Sequence, residues 1–449
     1  MSQKLYIKTY GCQMNTYDSE QIANLLSFHG YELCVSPQEA HVVILNTCHI
    51  REKATEKVFS DLGRLKPFKD KKEASSEKMI LAVAGCTAQA EGQEIMRRSP
   101  FVDLVLGPQA YHRLPELLAQ LTRSKGSRII ETEFPVESKF DFLPEQRTVS
   151  QSSSAFLTIQ EGCDKFCTFC CVPYTRGAEF SRPVQDILKE ARTLLSKGVQ
   201  EITLLGQNVN AYHGEGLSGS KEWRLGRLIQ EIALLPGLQR LRYTTSHPRD
   251  VDDDLIQAHK DVPQLMPFLH LPVQSGSDSI LKAMNRGHTA DFYRCIIDKF
   301  RASRPDMAFS SDFIVGFPGE TKEDLAATLK LIKDIDYAQA YSFAYSARPG
   351  TPASVLKDQI PLLEKEERLY AVQELLRAQQ TRFNHTWVGK SFLVLFERLG
   401  RYQNQYIGRS PYLQSVHVKS SSSLLGQILR VQIDAVFPNS LEGHLIEHG

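Results

Sequence analysis

The chain has 449 residues, 42% of them hydrophobic and 23% charged, with 53 Lys and Arg against 52 Asp and Glu. That length suits about three domains with packed cores, and a net charge of +1 excludes a polybasic tail, so any nucleic-acid contact must be local. No apolar run approaches the roughly 18 residues of a membrane span, and the opening MSQKLYIKTYGC lacks a signal-peptide h-region, so a soluble, cytoplasmic protein without membrane contact is expected.

The first segment, residues 1–125, repeats one pattern three times. An apolar strand ends in a cysteine, and a polar, helix-compatible stretch follows: LYIKTYGC, VVILNTC and ILAVAGC, closing on Cys12, Cys48 and Cys86. Spacings of 36 and 38 residues suit a strand, a helix and their loops. Runs without polar alternation are what a parallel strand covered on both faces requires. The pattern predicts an α/β, doubly wound parallel sheet, and in such sheets the carboxyl ends of the strands line one crevice. Three cysteines far apart in sequence would then meet at one rim. FVDLVLG reads as a fourth strand, and Lys66 to Lys78 as a solvated loop. Residues 126–150, with Pro135, Pro144 and a Ser/Gln cluster, read as a linker.

From 151 to 379 strands and helices alternate. Strand candidates are AFLTIQEGC, EITLLGQN, LRYTTSHP, FLHLPVQSG, FSSDFIVGFPG and AQAYSFAYSARPG. Ile187, Leu188, Ala191, Leu194 and Leu195 follow a helical period ended by Gly198, and Thr321 stands three residues before Asp324 as in a capping box. Six alternations predict a partial (β/α)6 barrel. A charged helix, Leu362 to Gln380, leads to residues 380–449, where SFLVLFERL, SVHVK, ILRVQIDAVF and GHLIE alternate with Gly/Asn/Ser turns. This reads as a small antiparallel β-barrel. Its seven Lys/Arg against four Asp/Glu suit contact with phosphate.

Nine cysteines, an odd number, argue against a disulfide framework. The densest signal is EGCDKFCTFCCVPYTRG, where Cys163, Cys167 and Cys170 form C-x-x-x-C-x-x-C directly after a strand. Clustered thiolates select zinc or iron–sulfur. Structural zinc usually takes four ligands in paired knuckles, and no second C-x-x-C exists here. Three thiolates in one loop suit a four-iron cluster with one iron left open. Cys34, Cys171 and Cys295 read as packing residues.

This spacing resembles the radical S-adenosylmethionine (SAM) superfamily. The resemblance sharpens to its methylthiotransferases through TYGCQMN, NTCHIREKA and AGCTAQ, and through EGCDKFCTFC, PYTRGAEFSRP, LLGQNVNAY, HLPVQSGSDSILKAMNRGHT, DFIVGFPGET and YSARPGT. The C-terminal segment resembles a TRAM domain, although it lacks a Gly-Pro-Ser-Lys-Lys run near Phe396–Gly400 and reads VHV at Val416–Val418.

The resemblance implies two [4Fe-4S] clusters: one held by Cys163, Cys167 and Cys170 that cleaves SAM to a 5′-deoxyadenosyl radical, and an auxiliary one held by Cys12, Cys48 and Cys86 that carries the sulfur. It further implies SAM contacts at Phe169 and at Gly206, Gln207 and Asn208. Ser246 and Gln274 end later strands, where they face SAM or substrate; Gly316 and Glu320 shape a turn near the adenine, with Glu320 equally readable as a helix-start carboxylate; Arg176 reads as a contact to phosphate or the SAM carboxylate, or as a solvated or salt-bridged arginine; and His247 and His270, at strand ends, read as structural histidines. The run NTC-x-IREKA and the loop VPYTRGAEFSRP favour the branch that methylthiolates carbon 2 of N6-(dimethylallyl)adenosine at position 37 of tRNA. The siblings act on threonylcarbamoyl-adenosine in tRNA or on a ribosomal protein aspartate. Implied partners are tRNA, a flavodoxin- or ferredoxin-like electron donor and a sulfur source, with the chain acting as a monomer.

Overall fold

The computed structural model of the chain describes residues 2–49, 52–124, 126–135, 139–142, 152–219 and 221–446, with backbone alone at 52–55. Two compact units divide it. One comprises Met1–Thr148, Glu161–Asp164 and Cys171–Glu179; the other comprises Val149–Gln160, Lys165–Cys170 and Phe180–Gly449.

In the first unit a six-stranded parallel sheet has the order β2-β1-β3-β4-β5-β6, with β1 at Gln3–Thr9, β2 at Tyr31–Leu33, β3 at Val42–Thr47, β4 at Ile80–Gly85, β5 at Leu104–Leu106 and β6 at Ile129–Glu131. Strands β3 and β4 are buried along their whole length, as their unbroken apolar runs require. Separate apolar layers cover the two faces, one around Leu26, Ile44, Leu106 and Leu117, the other around Leu45, Leu62, Leu81 and Ile95. The strand in FVDLVLG is β5. Strands β2 and β6 had no apolar run to announce them: each is three residues of a sheet edge and only part-buried or exposed. β6 falls inside the segment expected to be a linker; Pro144 lies outside the described residues.

The expected loop from Lys66 is corrected. A helix runs Glu52–Ala74, because Lys and Glu are good helix formers and the segment has an apolar face. Leu62 and Leu65 are buried, and the Lys69 ammonium pairs with Asp103 at 2.6 Å. The charges are the wet face of a helix rather than a loop.

The second unit carries the six expected strands as two parallel three-stranded sheets. Ser154–Thr158, Glu201–Leu205 and Arg240–Tyr243 form one; Phe268–His270, Ala308–Val315 and Gln339–Ala344 form the other. An isolated parallel bridge pairs Leu241, in the first sheet, with Leu265, which precedes the second. Helix Val184–Ser196 ends as expected, with Gly198 at φ +91°, and Thr321 and Asp324 complete a capping box. The charged helix is longer than expected, Leu362–His385.

The C-terminal segment closes into a five-stranded barrel. It includes a strand the sequence reading passed over, Gln405–Arg409, whose Gly408 accommodates Val394 and Leu395 at distances no Cβ would allow. The barrel is not wholly antiparallel: Ser415–Lys419 pairs in parallel with Ser440–Leu445. Arg240 and Arg242, on the third strand of the core, donate to the carbonyls of Leu393, Arg409, Ser410 and Pro411. Among the described residues no helix is long and apolar enough to cross a membrane.

Candidate metal centres

Cys12, Cys48 and Cys86 stand just past the carboxyl ends of β1, β3 and β4, which are neighbours in the sheet. The register pairs Thr9 with Asn46 and Thr47 with Gly85, so all three cysteines reach the same edge. The glycines before them make this approach possible. Gly11 has φ +94°, and a Cβ there would lie 2.5 Å from Cys48 Sγ; Gly85 has φ +91°, and a Cβ there would lie 2.4 Å from Thr47 O. Asn15 ties the strand ends together, its amide donating to Tyr10 O and Thr47 O.

The polarity behind this rim is paired. The Arg176 guanidinium, at the end of the short helix Val172–Arg176, donates to Glu161 at 2.6 Å, Asp18 at 2.7 Å and Asn15 Oδ1 at 3.0 Å. Lys139 completes the set, 2.8 Å from Glu161 and 3.5 Å from Asp18. All four charged side chains are buried. Two cations and two carboxylates balance, which is the arrangement under which buried charge is tolerated. The thiol of Cys12 is held below the usual range by the hydrogen bond it accepts from Cys48 and by Arg176. Burial pushes Cys86 up, and Arg176 opposes this.

The second cysteine set lies in one loop. Cys163 N donates to Gly177 O, and Cys170 N to Cys167 O. A turn after helix Asp278–Ala283 clasps residues 165–168: Asn285 donates to the carbonyls of Lys165 and Phe166, Thr168 N donates to Met284 O, and Thr168 Oγ1 donates to Ala283 O. Arg286 in that turn points its guanidinium at Cys167, with Nη1 3.4 Å from Sγ and Nη2 donating to Pro272 O. Lys165 pairs with Asp250 at 2.6 Å, and Asp250 accepts from Asn208. Among the described residues no three Cys, His, Asp or Glu side chains are grouped to hold a single metal ion.

The remaining expected residues fall into three groups. Gly206, Gln207 and Asn208 surround one side chain: Gln160 Oε1 accepts from Gln207 N and Asn208 N, and a Cβ at Gly206 would lie 2.5 Å from it. Among the described residues Asn208 Oδ1 and Ser246 Oγ have no hydrogen-bond partner although buried, which is uncommon in a folded protein unless a ligand supplies one. Gln274 has φ +79°, and its backbone pairs with Asp312 and Ile314. Phe169 packs against Ile280, Met284, Phe317 and Tyr345.

Others serve the scaffold. Arg176 is a salt-bridged arginine. Gly316, at φ +67°, donates to Glu320, which is gripped by Arg368, so Glu320 fixes a turn rather than starting a helix. His247 Nδ1 accepts from Arg249 N, and burial keeps its ring neutral. His270 sits 2.9 Å from Ser310 Oγ. Cys34 packs beneath β1 and Cys171 precedes the short helix, but Cys295 is exposed. The expectation that Cys295 packs inside is corrected: it lies on the outer face of helix Ala290–Ser303. Sequence reasoning missed Gln160, Asp250, Lys139 and Arg286. Gln160, within AFLTIQEGC, and Arg286, within HLPVQSGSDSILKAMNRGHT, lie in runs the sequence singles out; Asp250 and Lys139 lie in none. In the C-terminal barrel, Tyr402, Gln403, Asn404, Lys419, Ser420 and Ser421 line an open depression.

A half-barrel of six parallel strands with a three-cysteine loop after the first is the architecture of a radical SAM enzyme, and the radical SAM superfamily model matches residues 157–332. Residues 4–107 match an uncharacterized protein family, UPF0004, and residues 386–446 match the TRAM domain. The cobalamin-dependent SAM radical enzyme OxsB superposes with a TM-score of 0.56 at 13% identity, over 84% of this chain and 56% of that one. The radical SAM methyltransferase TsrM from Kitasatospora setae gives 0.56 at 14% identity, over 79% and 77%. These two show the fold alone. The tRNA-2-methylthio-N(6)-dimethylallyladenosine synthase of Maricaulis maris (strain MCS10) is 58% identical over 445 residues, 98% of this chain and 97% of that one. The chain belongs to this family of tRNA methylthiotransferases.

Proposed function

We propose that the two cysteine sets divide one reaction, the methylthiolation of N6-(dimethylallyl)adenosine in tRNA by radical SAM chemistry. The observation that carries the division is the meeting of Cys12, Cys48 and Cys86 at one sheet edge, separate in sequence from the loop of Cys163, Cys167 and Cys170. Both sets fit a [4Fe-4S] cluster with one open iron: three thiols in each, with Cys171 outside the C-x-x-x-C-x-x-C spacing, and buried cations beside them. Such clusters, with SAM, supply one-electron cleavage to a 5′-deoxyadenosyl radical and a sulfur to be methylated and transferred.

The chain's own residues hold, orient and keep dry. Cys163, Cys167 and Cys170 hold the SAM-cleaving cluster, and Cys12, Cys48 and Cys86 the sulfur-bearing one. Asn208 and Ser246, each with a buried oxygen in need of a partner, orient SAM beside Gly206 and Gln207, while Phe169 and Gln274 bound its adenosine end. The protein positions the cofactor and excludes solvent from the radical. The target is carbon 2 of the modified adenosine at position 37. Residues 1–125 serve sulfur delivery, 151–379 radical generation and 380–449 tRNA contact. A flavodoxin- or ferredoxin-like donor and a sulfur source complete the cycle, and the enzyme works as a cytoplasmic monomer.

Two measurements test this. Anaerobically prepared protein should contain about eight iron and eight sulfide per chain, the sum of two four-iron clusters; a count of about four removes one centre. Nucleoside mass spectrometry of tRNA from a deletion strain should show N6-(dimethylallyl)adenosine without its 2-methylthio group. Persistence of that group, with loss from threonylcarbamoyl-adenosine instead, would move the enzyme to a sibling branch.

A further inference from the structure

Each cysteine set has a buried arginine, and the two are neutralised differently. Arg176 shares its charge with Asp18 and Glu161. Among the described residues Arg286 has no carboxylate partner and its Nε no hydrogen-bond partner: one arm meets Cys167 Sγ, the other Pro272 O. The two histidines near it do not offset the charge. His247 and His288 are held neutral by burial, with Arg286 itself contributing.

The placement of Arg286 is built rather than incidental. Asn285 at φ +56° and Gly287 at φ +63° turn the chain on either side of it. A Cβ at Gly287 would come within 2.6 Å of Arg249. The same turn holds the loop through Asn285 and Met284. A charged donor facing a cluster thiolate is one of the protein's levers on iron–sulfur potential, because reduction adds negative charge that the donor stabilises.

We propose that Arg286 is a positioning residue for the SAM-cleaving cluster, raising that cluster's reduction potential through its unshared charge and its hydrogen bond to Cys167. The inference rests on the assignment of Cys163, Cys167 and Cys170 to that cluster. Arg286 touches neither SAM nor tRNA in this role; it makes the cluster easier to reduce.

The test uses full-length protein in which Cys12, Cys48 and Cys86 are changed to Ala, so that one cluster remains, reconstituted and titrated by EPR-monitored reduction without tRNA. Arg286→Gln should lower the midpoint by the equivalent of about tenfold in the reduction equilibrium, about 59 mV for one electron. Arg286→Lys keeps the charge but cannot hold Pro272 O and Cys167 Sγ together, so its midpoint should fall between the two. If Arg286→Gln assembles no cluster, the lysine variant decides. In the complementary background, with Cys163, Cys167 and Cys170 changed to Ala, Arg286→Gln should leave the remaining midpoint in place. A loaded variant that titrates with the unsubstituted protein, or an equal shift in both backgrounds, overturns the inference. If the Cys12/Cys48/Cys86→Ala protein itself binds no iron, the assignment beneath the inference falls instead.

Discussion

The two cysteine sets reach similar chemistry by different construction. Cys163, Cys167 and Cys170 fall within eight consecutive positions, and their loop is held to one turn, Ala283 to Arg286, by side-chain hydrogen bonds of Thr168 and Asn285 to backbone carbonyls and by Thr168 N to Met284 O. Cys12, Cys48 and Cys86 come from three strands, and only the parallel register brings them to one edge. A loop motif is secured by a single clasp. A strand-end motif depends on the whole sheet, on two glycines at positive φ and on a buried four-charge network. The second construction has more ways to fail.

The sharpest way to break the comparison is to empty each set in turn. Cys12/Cys48/Cys86→Ala should still produce 5′-deoxyadenosine from SAM but no methylthiolated tRNA, whereas Cys163/Cys167/Cys170→Ala should lose both. Anaerobic assays of both products decide it. Loss of SAM cleavage in a folded protein lacking only the strand-end cysteines would contradict the division.

Next in size is the charge network. Arg176→Met leaves Asp18 and Glu161 with Lys139 alone, and removing one partner from a buried ion set costs about 3–5 kcal/mol. Denaturant unfolding should show that loss. Arg176→Lys should recover only part of it, since an ammonium cannot span Glu161, Asp18 and Asn15 as the guanidinium does. An unfolding midpoint unchanged in Arg176→Met would mean that the network does not support the strand-end site.

The same contrast explains what was legible in the sequence. The loop cysteines were readable from spacing alone. The strand-end set was readable because unbroken apolar runs forced a parallel sheet, whose strand ends must align. What could not be read was pairing. Lys139 and Glu161 lie 121 and 143 residues from Asp18 in the chain, and no local pattern announces a buried ion network. Edge strands β2 and β6 were missed because three half-wet residues carry no period. The density of charge from Lys66 to Lys78 suggests a solvated loop, but as far as Ala74 it is the wet side of a helix whose Leu62, Leu65 and Lys69 share a buried face.

A smaller effect separates the units by pH. The second unit, besides buried ion pairs of its own at Arg368–Glu320 and Arg242–Glu201, keeps a buried histidine neutral. His259, 2.7 Å from Tyr243 Oη, has its pKa lowered to about 3 by burial, with Arg304 adding to this. Above its ordinary value of about 6.5 the ring is neutral whether the chain is folded or not, so there is no pH-dependent cost. As the pH falls from 6.5 toward 3, only the unfolded chain takes the proton, and stability is lost. Between pH 7 and pH 5 this amounts to about 2 kcal/mol. His259→Gln should flatten that part of the stability profile, measured by denaturant unfolding at each pH; an unchanged slope would assign the acid sensitivity to other groups.

The smallest expected effect concerns tRNA contact. Removing residues 380–449 would be a poor test, because the long helix continues to His385 and Arg240 and Arg242 would lose the four carbonyls they bind. A point change avoids both. Lys419 ends an exposed strand terminus beside Tyr402 and Asn404, where its ammonium is positioned as a solvated phosphate contact. Such contacts are sequence-independent and act through counterion release. Lys419→Ala should therefore weaken tRNA binding a few-fold and lower the slope of log affinity against log salt by about 1, leaving SAM cleavage without tRNA unchanged. Filter binding across a salt series reads both quantities. A weaker affinity with the slope intact would make Lys419 a structural support for the depression, and an unchanged affinity would place the backbone contact on another face of the barrel.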